Sequence, residues 1–297
     1  MSPPTVAAEP GLMRTQGWAD YALLDSGNGR KLERYGPYTV VRPEPQCLWT
    51  PRLSAEAWEA ADAVFDPDGE EDAGRWRFRE QPRESWPLEW EGMRFAGRFT
   101  NFRHLGFFPE QAANWGWLAE RVRARSAPKV LNLFGYTGVA SLVMAAHGAE
   151  VTHVDASKKA VAWARENAEL AGLSDRPIRW IVEDARKYVQ REVRRGSRYD
   201  GIILDPPKYG RGPTGEVWQL LQDLPELAGL CAQLLSENAA FLVLNAYAER
   251  ISGAALSGLL AEKLSSRGGT IDWGELALAE DDGDRQVGMS FYARWSA

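Results

Sequence analysis

The chain reads as an α/β protein: a doubly wound, mostly parallel seven-stranded sheet with a C-terminal antiparallel hairpin, preceded by a small β-rich N-terminal domain. Three observations lead there. From residue 112 to residue 264, short apolar runs alternate with helical patterns, as in a parallel sheet covered on both faces. Residues 270–278 and 286–295 are two strand-like runs joined by the acidic turn Asp281-Asp282-Gly283-Asp284, hence a hairpin. Before residue 108 the chain is different in character, with short β-like runs, many tryptophans and turns of Pro, Gly and acidic residues.

Taken in order, residues 1–15 lack the basic start and long apolar stretch of a signal peptide and are expected to be a disordered lead-in. Residues 16–108 form the small domain, with strands at 38–42, 76–79 and 93–96 and an exposed acidic loop at 66–72. Residues 109–297 form the larger domain. A helix over 112–125 leads into a strand at 129–133. The next helix, 138–146, stops at Gly148, and a strand follows at 150–154. Ser157 caps a helix that runs to Leu170 and closes at Gly172. Then come a strand at 178–182, a basic helix at 185–195, a strand at 201–204, a helix around 218–235, a strand at 240–244 and a helix at 253–264.

A length of 297 residues, 44% hydrophobic and 26% charged, suits one large and one smaller soluble domain. No apolar run approaches the ~20 residues of a membrane span. Cys47 and Cys231 are far apart and in no CxxC or Cys/His spacing, so neither a disulfide framework nor a metal site is expected. Free thiols fit a reducing cytoplasm. The net charge of −6 argues against nucleic-acid binding driven by overall charge. Local basic clusters remain, at Arg75, Arg77, Arg79 and Arg83, at Arg121, Arg123, Arg125 and Lys129, and at Arg191, Arg194, Arg195 and Arg198. Each is read either as a phosphate path or as a solvated face.

Four segments carry chemistry. In a doubly wound sheet the ligand sits at the carboxyl ends of the strands, where strand order switches. Val130-Leu131-Asn132-Leu133-Phe134-Gly135-Tyr136-Thr137-Gly138 places a glycine turn there, after the first strand. It has two glycines and lacks the full GxGxxG fingerprint. A pyrophosphate needs several close backbone approaches at a helix N-terminus, so the turn fits a nucleoside cofactor without phosphate, or an ordinary strand–helix turn. Asp155, about 20 residues beyond the first strand, is placed to accept both hydroxyls of a ribose, or to cap a helix together with Ser157. Asp184 ends the third strand and fits an adenine amine or, again, a helix cap. Asp205-Pro206-Pro207-Lys208 is the sharpest segment. Consecutive prolines fix an extended backbone without N–H donors, which leaves acceptors only beside a reacting amine or a cationic sulfonium. Tyr209 is placed to stack on a planar base.

This ordered set resembles the class I S-adenosylmethionine (SAM)-dependent methyltransferases, of Rossmann-like fold. More narrowly, it is similar to the bacterial large-subunit rRNA cytosine-C5 methyltransferase group and its relatives. That group shares the Leu-Asn-x-Phe-x-Tyr-Thr-Gly turn, the Asp-Pro-Pro-Lys-aromatic element and a Gly-Phe-Phe-x-x-Gln stretch like Gly106-Phe107-Phe108-Pro109-Glu110-Gln111. The resemblance runs from about residue 102 to residue 295. It implies SAM as cofactor, with Phe134, Gly135, Tyr136, Thr137 and Gly138 against its methionine part. It implies Asp155, Ala156 and Ser157 at the ribose and adenine, Asp184 and Ala185 at the adenine, and Asp205 beside both cofactor and substrate. Asn132 stands where many class I enzymes carry an acidic residue for the cofactor's amino group.

One departure bears on mechanism. Cytosine C5 is a poor nucleophile, and that group first adds a cysteine thiolate to the ring. The cysteine follows the strand after the Asp-Pro-Pro element, where this chain reads Leu244-Asn245-Ala246-Tyr247. A base nitrogen needs no covalent step, only alignment of nucleophile, methyl and sulfur. The expectation is methylation of an RNA base nitrogen, on ribosomal RNA or a ribosomal particle, with Asp205 and the Pro206 carbonyl orienting the nucleophile and Lys208 touching phosphate or loop carbonyls. The alternatives are a small-molecule or protein methyltransferase on the same fold, an rRNA cytosine-C5 enzyme, or an idle SAM- or RNA-binding module. His104, His147 and His153 are scattered and receive no catalytic role.

Overall fold

In the computed structural model, which describes residues 2–69, 73–247 and 250–297, the expected disordered lead-in carries two strands, β1 (Thr5–Val6) and β2 (Gly11–Thr15). Both pair with the long strand Thr270–Ala279. Its edge offers backbone groups that need partners, and the lead-in supplies them. Thr5 donates to the Gly269 carbonyl at 2.9 Å and Ala7 to that of Ile271 at 2.8 Å. The Trp273 indole N–H donates to the Ala7 carbonyl at 2.9 Å. No periodicity in the first ten residues announces this, because the strands exist only through their partner.

The smaller of two compact units comprises Arg14–Ala112 and Ala277–Gly288. Its sheet has the order β3 (Tyr21–Gly27), β4 (Arg30–Tyr35), β5 (Tyr38–Pro43), β6 (Ala63–Pro67), β7 (Gly74–Phe78), with the short helix α1 (Ala55–Glu59) between β5 and β6. A separate pair, β8 (Trp86–Trp90) and β9 (Met93–Gly97), follows. The hairpins turn at Asn28-Gly29 and Glu91-Gly92, where both residues have positive φ. Such two-residue turns match the twist of the flanking strands. The residues expected as an acidic loop divide: Asp66 and Pro67 belong to β6, where Asp66 lies opposite Arg75 in the ladder and its carboxylate forms an ion pair with Arg77, and 70–72 lie outside the described residues. The unit also takes in the acidic turn of the terminal hairpin, whose Asp281 N–H donates to the Leu23 carbonyl at 2.9 Å.

The larger unit comprises Met1–Met13, Ala113–Leu276 and Met289–Ala297. In chain order, its further elements are α2 (Ala112–Arg123), β10 (Lys129–Leu133), α3 (Val139–Ala146), β11 (Glu150–Asp155), α4 (Lys158–Leu170), β12 (Ile178–Val182) and α5 (Ala185–Arg195). There follow β13 (Gly201–Leu204), β14 (Tyr209–Arg211), β15 (Val217–Gln219), α6 (Leu220–Leu234), β16 (Phe241–Ala246), α7 (Gly253–Lys263), β17 (Thr270–Ala279) and β18 (Gln286–Ser296). The sheet runs β12-β11-β10-β13-β16-β18-β17, with β1 and β2 on β17, nine strands among the described residues. β10 to β13, β11 and β12 are parallel, as is β16 on β13, while β18 lies antiparallel to β16. The chain leaves β10 towards β11 and β12 on one side and later towards β13 and β16 on the other. The switch point of strand order therefore falls between β10 and β13. Val130, Leu131 and Leu133 of β10 and Ile202 and Leu204 of β13 are fully buried, as strands covered on both faces should be.

Candidate cofactor and reaction site

β10 runs into a turn in which Phe134, Tyr136 and Gly138 all have left-handed φ, at 58°, 48° and 84°. Gly138 N–H closes on the Gly135 carbonyl at 2.9 Å, and Gly135 N–H donates to the Val154 carbonyl of β11 at 3.1 Å. The two glycines serve different ends. A Cβ on Gly135 would stand 2.4 Å from His153 Cε1 and 2.5 Å from its Nδ1. Gly138, the residue that opens α3, has a φ that side chains disfavour, and a Cβ there would stand 2.8 Å from Ala164. Thr137 is buried behind the turn, its carbonyl accepting from Asn167 Nδ2 at 2.9 Å.

Asp155 ends β11. Its Oδ2 accepts the Tyr136 N–H at 2.8 Å and its Oδ1 the Ser157 N–H at 2.8 Å. Burial raises its pKa above the usual carboxylate value, against these two bonds, which lower it. A carboxylate has about four acceptor positions, so two hydroxyl hydrogens still fit. Ser157 caps α4, its Oγ accepting from Ala160 N–H at 3.2 Å. Asp184 caps α5 through Lys187 N–H at 3.0 Å. Glu183 N–H donates to the Asp155 carbonyl at 3.1 Å and ties the ends of β11 and β12 together. Ala156 and Ala185 follow these tips directly.

Asp205 follows β13, its N–H 3.4 Å from the Leu133 carbonyl, so the Asp-Pro-Pro-Lys segment starts beside the glycine turn. Two of its carbonyls are used internally. Pro207 accepts from the Trp218 indole at 2.8 Å, and Lys208 from Leu220 N–H at 3.0 Å. Trp218 also packs on Phe134, ring centroids 5.0 Å apart, and so clamps both motifs. The expected helix around 218–235 begins at Leu220 instead, because residues 209–211 and 217–219 pair as a β-hairpin. Pro206 is buried, whereas Pro207, Lys208 and Tyr209 are exposed.

The sequence-predicted residues therefore converge: Asn132 and 134–138, 155–157, 184–185 and 205–208 lie at the carboxyl ends of the adjacent strands β10, β11, β12 and β13. Trp218, Ser141 and His153 were not among the sequence-predicted residues. Ser141 Oγ lies 2.9 Å from Asn132 Nδ2 and 3.0 Å from His153 Nδ1, all three buried. Their spacing has no motif, since it depends on β10, α3 and β11 meeting. The stretch where the resembled group carries its cysteine, residues 244–247, holds Asn245 at the end of β16, buried and accepting from Asn114 Nδ2 at 3.0 Å. Burial pushes the Cys47 thiol up to about 12 and that of Cys231, inside α6, higher still. Several clustered arginines are engaged within the protein: Arg77 with Asp66, Arg191 with Glu183, Arg195 with Glu192, and Arg121 over the Trp117 ring at 3.5 Å.

A turn built without the three-glycine phosphate cradle, a half-buried carboxylate at the next strand tip and a proline-stiffened Asp-Pro-Pro segment beside them suit a phosphate-free nucleoside cofactor carrying positive charge. Fold and site together define the Rossmann-like SAM-dependent methyltransferase class. Comparison with known proteins agrees. The model of the S-adenosylmethionine-dependent methyltransferase family matches residues 53–245, and the chain belongs to that family. A solved SAM-dependent methyltransferase from Agrobacterium tumefaciens is 52% identical, with a TM-score of 0.95 over 99% of this chain and 96% of that one. Ribosomal RNA large subunit methyltransferase I of Aeromonas salmonicida is 35% identical over 131 residues, 44% of this chain and 32% of the relative. Ribosomal RNA large subunit methyltransferase K/L of a Shewanella species is 31% identical over 150 residues, 50% of this chain and 21% of the relative. The chain thus matches only a third or less of the length of these two curated relatives. The chain carries a SAM-dependent methyltransferase domain.

Proposed function

We propose that the protein methylates a base nitrogen in RNA, with ribosomal RNA or a ribosomal particle as substrate, in the cytoplasm. The observation that carries this reading is the Asp205-Pro206-Pro207-Lys208 loop. The Pro207 and Lys208 carbonyls are bonded to Trp218 and Leu220, and the reading assigns the acceptor role at the strand tip to the Asp205 carboxylate and the Pro206 carbonyl. SAM supplies an electrophilic methyl group on a sulfonium. The chain's part is to bind the N–H hydrogens of a base amine through these two acceptors and to hold its lone pair in line with the methyl group. Tyr209 is 52% exposed and is assigned to stack on the base, and the exposed Lys208 beside it to meet phosphate. Buried, protonated thiols and an inward-bonded Asn245 weigh against a covalent route to cytosine C5. The names of the curated relatives support RNA. The net charge of −6 is what favours the second reading, a metabolite or protein substrate.

The test is transfer of radiolabelled methyl from SAM to RNA and ribosomal particles from cells lacking the gene, followed by nucleoside analysis. Label in a methylated guanine or adenine is expected. Label in 5-methylcytosine overturns the nitrogen assignment, and no label in RNA or particles despite SAM binding overturns the RNA substrate.

A further inference from the structure

Lys208 runs into a hairpin whose turn is written in its own sequence. In Gly212-Pro213-Thr214-Gly215 the Gly215 N–H meets the Gly212 carbonyl at 3.2 Å, and proline stands second, where its fixed φ fits. β14 and β15 pair Tyr209 with Gln219, Gly210 with Trp218 and Arg211 with Val217. Directly opposed residues share one side of a ribbon, and sides alternate along each strand. Trp218 is buried and takes the inward side. Tyr209, Arg211, Val217 and Gln219, all exposed, therefore form the outward face.

Two latches hold this hairpin to the first turn of α5, directly after Asp184. Lys187 Nζ is bonded to Glu216 and lies 3.3 Å from Thr214 Oγ1, while the Lys187 backbone N–H donates to Asp184 Oδ1 at 3.0 Å. Glu216 also accepts the Thr214 N–H at 3.0 Å. A Cβ on Gly212 would stand 2.2 Å from Glu216 Oε2, so this glycine makes room for the carboxylate. Arg186 donates to Asp223 Oδ1 at 2.9 Å, and Asp223 Oδ2 accepts the Gln219 N–H at 2.7 Å, which fixes the end of β15. An exposed ion pair alone is worth little. Joined to the Trp218 and Leu220 bonds on the Pro207 and Lys208 carbonyls, the two pairs tie down both strands.

We propose that the outward face of this hairpin is a platform for the single-stranded RNA that flanks the methylated base, with Arg211 as its phosphate contact and Arg186 and Lys187 as the positioning residues that hold it in place. The inference rests on the reading of the protein as an RNA methyltransferase. Position, charge and composition select this occupant. The face starts at Tyr209, next to the Asp-Pro-Pro-Lys segment, so a strand whose base enters there continues onto it. Between Pro207 and Gln219 the only acid is Glu216, which Lys187 neutralises, while Lys208 and Arg211 are exposed cations. Arg186, Lys187 and Arg191 are all paired with acids, whereas Arg211 has no ion-pair partner among the described residues. An aromatic ring, a guanidinium, an amide and an aliphatic group suit unstacked bases and their phosphates. Such a local platform also reconciles RNA binding with a net charge of −6, because charges beyond a Debye length of ~8 Å are largely screened.

The experiment is binding of a fluorescent single-stranded oligouridylate of about 12 nucleotides to the full-length protein, read by anisotropy over a range of salt, with S-adenosylhomocysteine (SAH) affinity by calorimetry alongside. Arg211→Ala should weaken the oligonucleotide about three- to tenfold and make the slope of log K against log salt shallower by about 0.7, one phosphate contact on a single strand. SAH affinity should stay unchanged. Arg165→Ala, which removes an exposed cation on α4, should alter neither. Lys187→Met should weaken the oligonucleotide but not SAH, and Lys187→Arg should bind as the unaltered protein does. Unchanged affinity and slope in Arg211→Ala, or no oligonucleotide binding by a protein that methylates RNA, overturns the platform and leaves the RNA reading standing. An unaltered protein that neither binds nor methylates RNA overturns both. Loss of SAH affinity in Lys187→Met would place Lys187 with the cofactor and overturn its positioning role.

Discussion

The Tyr136 backbone N–H donates to Asp155 Oδ2 at 2.8 Å, so the turn after β10 is fastened to the carboxylate at the end of β11. One residue therefore shapes the turn and offers remaining lone pairs to a ligand. Asp155→Ala should cost SAH affinity at least about tenfold, the equivalent of one charge-assisted hydrogen bond. Calorimetry checks this. Because burial holds the Asp155 pKa above the usual value, its charge is lost at a higher pH than that of an exposed Asp. Affinity should decline on acidification already above the ordinary carboxylate range near ~3.9, and an acid limb at or below that range would contradict the assignment.

Gly135→Ala places a methyl group against the His153 ring, with 2.4 Å to Cε1. Neither the ring nor the β11 backbone behind it is a flexible side-chain end. The expected outcome is a loss of stability of about 1–3 kcal/mol from overpacking, together with weaker SAH binding. Denaturant melts compared with those of Gly116→Ala, where the added Cβ meets nothing within 4 Å, separate crowding from the general effect of removing a glycine.

Asp205→Asn keeps the size of the side chain but turns one acceptor end into a donor. Methyl transfer to the RNA substrate should fall by about 10²–10³, the scale of removing one oriented group at a reaction centre, while SAH affinity changes by less than about tenfold. Single-turnover rates measured beside calorimetry separate the two. Equal losses in both would place Asp205 with the cofactor rather than with the nucleophile.

The Cys47→Ser, Cys231→Ala double variant should retain methyl transfer within about threefold. Both thiols are buried and held protonated, so neither is available as the thiolate a covalent step needs. Abolished transfer in a folded double variant would reinstate a covalent mechanism.

In the smaller unit, Glu33 is fully buried and bonded by both Arg42 Nε and Nη2 at 2.7 Å, with Lys31 Nζ at 3.9 Å. Burial works to raise the Glu33 pKa, but Arg42 and Lys31 overcome it and hold it at about 2. The folded value lies below the unfolded one, near ~4.3. The contribution to stability is thus fully present above pH ~4.3 and lost as pH falls towards 2. Glu33→Gln should cost about 3–5 kcal/mol at neutral pH, since it strands a buried arginine, and should flatten the acid loss. Denaturant melts followed by tryptophan fluorescence at pH 7 and pH 3 test both statements.

The helices and parallel strands of the larger unit were legible in the sequence because each is written in local periodicity. The strand at 129–133 and the helix starting at Ser157 match the structure to within a residue. The same holds for the chemistry-bearing tips: Asp155, Asp184 and Asp205 follow strands whose ends a doubly wound sheet must bring together. What failed was whatever depended on a partner far along the chain. The lead-in became β1 and β2 because the edge of β17 needed hydrogen-bond partners, and Trp218 left its expected helix to cap the Pro207 carbonyl. The link of Asn132, Ser141 and His153 arises only where β10, α3 and β11 meet, with no fixed spacing to announce it. Sequence determined which segments form the elements and which residues stand at their ends, since propensity, capping and turn preference act over a few residues. Tertiary structure alone decided how buried polar atoms find one another, because that satisfaction is a property of packed surfaces and not of any single segment.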